Sequence, residues 1–149
     1  MRRLTLYVVC DGPGQGSVSA VDPGSGTAVV PIPCPWGQSA AVTPDGRRVL
    51  VPNGQPGTVT PIRTWTNVAL GPIPVGAEPY PIVVTPNSRR AYVGNTSSSS
   101  VTAIRLTTGT VMATIPVGNV PARLALTPDG RTLYALNATD NTIATTVGS

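Results

Sequence analysis

The sequence predicts an all-β fold: a partial β-propeller of four-stranded antiparallel blades. Three observations predict it. The run TPDGRRVLVPN beginning at Thr43 returns as TPNSRRAYVGN at Thr85 and TPDGRTLYALN at Thr127, at spacings of 42 and 42 residues. The 149 residues include 17 Pro and 16 Gly, which cut the Val, Ile, Leu and Thr runs into strand-sized pieces. No ten-residue stretch free of Gly and Pro carries a helical apolar stripe, and an interior Pro costs a helix about 3 kcal/mol. A period of about 40 to 45 residues, made of short strands and tight turns alone, is that of a propeller blade.

The period holds at independent columns. Leu50, Tyr92 and Tyr134 keep it, as do Asn53, Asn95 and Asn137, and Val59, Val101 and Ile143. Upstream, Ile73-Pro74-Val75-Gly76 returns as Ile115-Pro116-Val117-Gly118, and Ile32-Pro33-Cys34 precedes the first of these by 41 residues.

In chain order, MRRLTLYVVC imitates a signal peptide. Its apolar run is too short and lacks a small-residue cleavage site, and it fits the second strand of a blade. Counting strands a to d outward from the axis, this first unit supplies b, c and d. Two full blades follow, at about 37–76 and 77–120. In the second of these, strand a runs over about 81–85 and strand b over about 89–94. Strand c takes about 101–106 and strand d about 111–117. Pro at the second position of TPNS presets φ for the a–b turn. Ser88, where the sister copies have Gly46 and Gly130, implies that this position does not need φ > 0. Pro52 is expected to break strand b of the preceding unit. The last unit stops after a, b and c, so the remnants 1–36 and 121–149 flank the two full blades, about three and a half in all.

AYVGN, VTAI and TIPVG with Pro121 following, then TPDGRTLYALN, together resemble the YVTN-family β-propeller repeat, as in YncE-like proteins. The resemblance covers nearly the whole chain. PIR and AIR stand where the repeat usually has VID, and only the first copy keeps the acid, at Asp22. The resemblance implies a propeller usually closed by six to eight blades and usually exported, in a group whose members share no single activity. A ring of that size needs about twice this length. Three arrangements would cover the faces left open: further blades in a longer gene product, pairing with a second copy or another partner, or an open arc.

Strand direction places the a–b and c–d turns on one rim and the b–c and d–a loops on the other. Arg47, Arg48, Arg63, Arg89, Arg90, Arg105 and Arg131 fall on the turn rim. Such an arc suits the phosphates of a nucleic acid without base readout. It suits equally a solvated face paired with the turn acids Asp45 and Asp129. The net charge of +4 comes with ten Arg and no Lys, and it is mild for a nucleic-acid binder.

The other rim gathers Trp36, Glu78, Tyr80 and Arg123, with Asp11 and Asp140 nearby in the pattern. An aromatic, a carboxylate and a guanidinium suit a small polar ligand, and the aromatics suit equally the gap between blades. The chain has no His and only six acids, scattered among the units, so neither an imidazole base nor a metal cluster is in view. No cofactor is called for, and no stretch of 18 apolar residues spans a membrane. Cys10 and Cys34 end strands b and d of one unit, about 9.5 Å apart across two strand spacings. That is too far for a disulfide, and both read as apolar fillers. The sequence thus points to a non-catalytic binding or interaction module. Its alternatives are a remnant of a lactonase-like or streptogramin-lyase-like enzyme, and a nucleic-acid binder using the Arg rim.

Overall fold

The computed structural model describes residues 5–12, 14–28 and 31–147, so the first four residues of the MRRLTLYVVC run lie outside it. The fold is all-β: four antiparallel sheets in succession form a partial β-propeller. The first sheet holds β1 (Leu6–Cys10), β2 (Ser17–Asp22), β3 (Thr27–Ala28) and β4 (Ile32–Pro33), with β3 and β4 both paired to β2. The second holds β5 (Ala41–Val42), β6 (Arg48–Asn53), β7 (Thr58–Arg63), β8 (Val68–Ala69) and β9 (Ile73–Pro74). The third is the regular one: β10 (Pro79–Val84), β11 (Arg90–Asn95), β12 (Ser100–Arg105) and β13 (Thr110–Pro116). The fourth has β14 (Pro121–Leu126), β15 (Thr132–Asn137) and β16 (Thr142–Val147).

One proline effect differs from expectation, and a second was not anticipated. Pro52 does not break its strand, since β6 runs through it and pairs Pro52 with Val59. Its carbonyl accepts the Gln38 N–H on the strand-a side, so its missing N–H faces that side too. The sister strands β10 and β14 are bulged at this level, and a bulge is where a strand tolerates Pro. Pro61 instead interrupts the neighbouring strand. Its carbonyl accepts the Leu70 N–H, but it has no N–H to return, and the outer strand divides there into β8 and β9.

The core lies between sheets, because side chains on a strand alternate in direction. On β6, Val49 and Val51 point back into a cluster with Val18, Ile32 and Cys34 of the first sheet. Leu50, one residue out of phase, points forward into a cluster with Ala91, Val93, Ile104 and Leu106 of the third. Tyr92 in turn packs forward with Leu133 and Ala135 of the fourth. Each interior blade therefore buries its faces against its two neighbours.

The TPDG-type turns are locked identically three times. The Thr43 hydroxyl donates to Asp45 Oδ1 at 2.6 Å and accepts the Arg48 N–H at 3.0 Å, while Asp45 Oδ1 also accepts the Arg47 N–H at 3.0 Å. Thr85 with Asn87, and Thr127 with Asp129, repeat the pattern. Ser88 corrects the reading of its position. It sits at φ 58, beside 70 for both Gly46 and Gly130, so the turn does require the left-handed region. The serine is compensated by a contact no glycine can make, because its Oγ accepts the Asp45 N–H of the preceding blade at 3.0 Å.

Candidate functional site on two rims of loops

The d–a and b–c loops meet on one rim through a repeated backbone bond. The N–H of Gly54 donates to the carbonyl of Trp36, that of Thr96 to Glu78 and that of Ala138 to Val120, at 2.9 to 3.1 Å. The accepting residues are 42 and 42 apart, and all three are non-glycine residues in the left-handed region, at φ 66, 49 and 55. For Val120, which is β-branched, that conformation is an outlier. A strained φ of this kind costs about 1 to 3 kcal/mol. One backbone geometry thus presents Trp, Glu and Val in successive blades.

Buried asparagines anchor this rim from below. Asn95 Oδ1 accepts the Gly76 N–H at 3.1 Å, and its Nδ2 donates to Ser100 Oγ and Thr102 Oγ1. A Cβ on Gly76 would stand 2.5 Å from Asn95 Cγ, which explains glycine there. Asn53 repeats the donor contacts, to Thr58 and Thr60, but its buried Oδ1 has no partner. The residue matching Gly76 is Pro35, which has no N–H to give. Asn137 Oδ1 is also unpartnered, although Gly118 stands beside it, and nothing in the structure explains this.

Of the residues predicted for this rim, Trp36 and Glu78 occupy equivalent positions in adjacent blades. The Glu78 carboxylate reaches Gln38 Nε2 of the preceding blade at 3.5 Å, and a Cβ on Gly54 would collide with both side chains. Tyr80 is 44% exposed, and its carbonyl accepts the Ser39 hydroxyl at 2.6 Å. Arg123 is exposed on β14 of the last blade. Asp140 is committed to structure, since it accepts both the N–H and the Nδ2 of Asn119, which hold its carboxyl below the usual range. Asp11 is exposed beyond β1. Gln38 and Val120 were not singled out from sequence, although Val120 lies one period beyond Glu78.

On the opposite rim the a–b and c–d turns meet, Thr64 N–H donating to the Arg47 carbonyl and Leu106 N–H to that of Arg89. Arg47, Arg63, Arg89, Arg105 and Arg131 are exposed there. Arg48 is half-buried and is engaged in structure, its guanidinium donating to the Leu106 carbonyl of the next blade. Hydrogen bonds from the Thr43 and Thr127 hydroxyls, with those from Arg47 and Arg131 N–H, hold the Asp45 and Asp129 carboxyls below the usual range. A groove of about 310 Å³ lies between the turns of the last two blades, lined by Asn87, Arg89, Arg90, Asp129 and Arg131. Sequence reasoning also passed over Trp65. It is 64% exposed, its ring centroid 6.0 Å from the Arg63 guanidinium carbon, and the repeat has no aromatic at this position to flag it.

Both cysteines are free. Cys34 is a buried filler whose thiol burial pushes up to about 11. Cys10 is exposed, because it shares the outward side of β1, and so it is not a filler. Among the described residues no cluster of three or more His, Cys, Asp or Glu could hold a metal ion.

No family model matches the sequence, and comparison with curated proteins finds no match. Solved structures do match in fold. Hydrazine synthase of Kuenenia stuttgartiensis superposes with a TM-score of 0.83 at 21% identity, over 97% of this chain and 56% of that one. A protein of unknown function from Desulfotomaculum acetoxidans gives 0.78 at 18% identity, over 94% and 50%. A protein from Bacteroides uniformis, described as a candidate 6-phosphogluconolactonase, gives 0.76 at 19%, over 99% and 51%. The chain therefore spans about half the length of each of these structures, and what it shares with them is the propeller fold.

Proposed function

We infer that this chain is a non-catalytic binding module of the YVTN-repeat type, which holds a small polar ligand or a peptide on the rim of d–a loops. The observation that carries this reading is the column Trp36, Glu78 and Val120. Three identical, strained backbone positions 42 residues apart present an aromatic, a carboxylate and an aliphatic side chain. A rigid repeat that varies side chains at one loop position is how a scaffold recognises without doing chemistry. Glu78 with Gln38 supplies hydrogen-bonding groups beside Trp36 and Tyr80, and Arg123 adds a cation on the next blade.

Thermal-shift screening of the full chain against sugar acids, amino acids and short peptides tests the reading. A hit should bind at least ~10-fold more weakly in Trp36→Ala and Glu78→Gln, with melting temperatures unchanged. Ligands that bind both variants as well as the parent would remove the rim from consideration. The likeness to a candidate lactonase favours one second reading, hydrolysis of 6-phosphogluconolactone. We expect no rate above buffer, and a rate that Glu78→Gln abolishes would overturn the non-catalytic assignment. The nucleic-acid reading predicts a salt-sensitive gel shift lost in Arg47→Glu/Arg89→Glu, both exposed.

A further inference from the structure

The repeat buries certain positions in every interior blade, and the two outermost sheets expose the same positions. Tyr134 is 42% exposed, whereas its equivalents Tyr92 and Leu50 are 7% and 0% exposed. Ile143 is 65% exposed where Val101 is 1%. Leu136 lies two residues beyond Tyr134 on the same side of β15 and is also exposed. At the other end of the molecule Leu6 and Val8 are exposed on one side of β1, where the equivalents Val49, Val51, Ala91 and Val93 are fully buried.

The three interior junctions all obey one rule. The forward-facing residues of a b strand (Tyr7 and Val9, then Leu50, then Tyr92) pack on the backward-facing residues of the next. Those are Val49 and Val51, then Ala91 and Val93, then Leu133 and Ala135. Among the described residues, no next blade covers the forward-facing Tyr134 and Leu136, and no preceding one covers the backward-facing Leu6 and Val8.

We propose that these two faces are partners: the fourth sheet of one copy receives the first sheet of a second copy, head to tail, and two such junctions close a ring of two chains. The junction continues the interior interface, using the same columns and the same alternation. Such a heterologous contact leaves no open end once it closes on itself. Two copies also supply the span of the solved neighbours, of which one copy covers 50 to 56%. The first sheet has no described strand inside β1 and the fourth none outside β16, so the junction buries less than an interior one. The ring should therefore dissociate in the range of about 1 to 100 μM.

Sedimentation velocity of the full chain across that range is the test, with Leu6→Glu and Leu136→Glu as variants. Both positions are exposed within one chain, so neither change should alter the circular dichroism spectrum or the melting temperature of the dilute protein. The parent is expected to shift from one to two chains with rising concentration. Each variant alone should weaken dimerisation by at least ~30-fold. An equimolar mixture should recover a two-chain species, because one intact face of each kind remains. Cys10 lies on the same side of β1 as Leu6 and Val8, and its alkylation rate should fall as the dimer fills. A parent that stays monomeric overturns the proposal. So does growth beyond two chains, or a dimer lost in Leu136→Glu but kept in Leu6→Glu, which would be a face-to-face pair.

Discussion

Asn95 of β11 ties its strand to a loop and to β12 at once, taking the Gly76 N–H while donating to Ser100 and Thr102 of β12. A methyl group at Gly76 must displace that side chain. Gly76→Ala is expected to lower stability by about 2 kcal/mol in urea unfolding, and an unchanged midpoint would mean that the asparagine yields freely. Val120 carries the opposite expectation. Glycine relieves its left-handed strain, so Val120→Gly should raise stability by about 1 kcal/mol; a loss would show that its side chain packs. The turn aspartates add a pH dependence. Asp45 and Asp129 titrate lower in the folded chain than in the unfolded one. Their stabilisation is complete above the ordinary aspartate range and is lost as pH falls through the depressed folded values. The melting temperature should therefore drop below about pH 4. It should drop less in Asp45→Asn/Asp129→Asn, since Asn87 already serves the third blade without a charge. An equal drop would assign the acid sensitivity to other groups.

The strands of the third sheet were legible in the sequence to within about two residues, because alternation and turn chemistry are local. β10 to β13 follow the expected a, b, c and d of that unit. What alternation does not reveal is which side has a neighbour. Tyr92 and Tyr134 hold the same column of the same strand, yet one is in the core and the other is not. Tyr92→Ala should cost about 3 kcal/mol, whereas Tyr134→Ala in the dilute chain should cost less than ~1 kcal/mol. Equal costs in unfolding experiments would mean that the fourth sheet is covered even in the single chain. The effect of Pro52 was misread for a similar reason: its missing N–H faces the strand-a side, where the sister strands are bulged, whereas the strand beside Pro61, which the sequence reading passed over, needed an N–H.

Across the whole molecule, stability passes from blade to blade through nearest-neighbour interfaces, and the outward faces of the first and fourth sheets bound that series. The repeat period, the strand order and the turn residues could be read from the chain alone, because each depends on residues within one turn or one strand. The grouping of Arg47, Arg89 and Arg131 on one rim also followed from strand direction. The column of Trp36, Glu78 and Val120 keeps the same 42-residue period, but its left-handed backbone was not legible, because the hydrogen bonds from Gly54, Thr96 and Ala138 that fix it join separate loops. Ser88 required the preceding blade to reveal why a serine tolerates a glycine's φ. Local chemistry wrote the blades; contacts between residues some 40 positions apart decided which side chains are core, which are strained and which stand open.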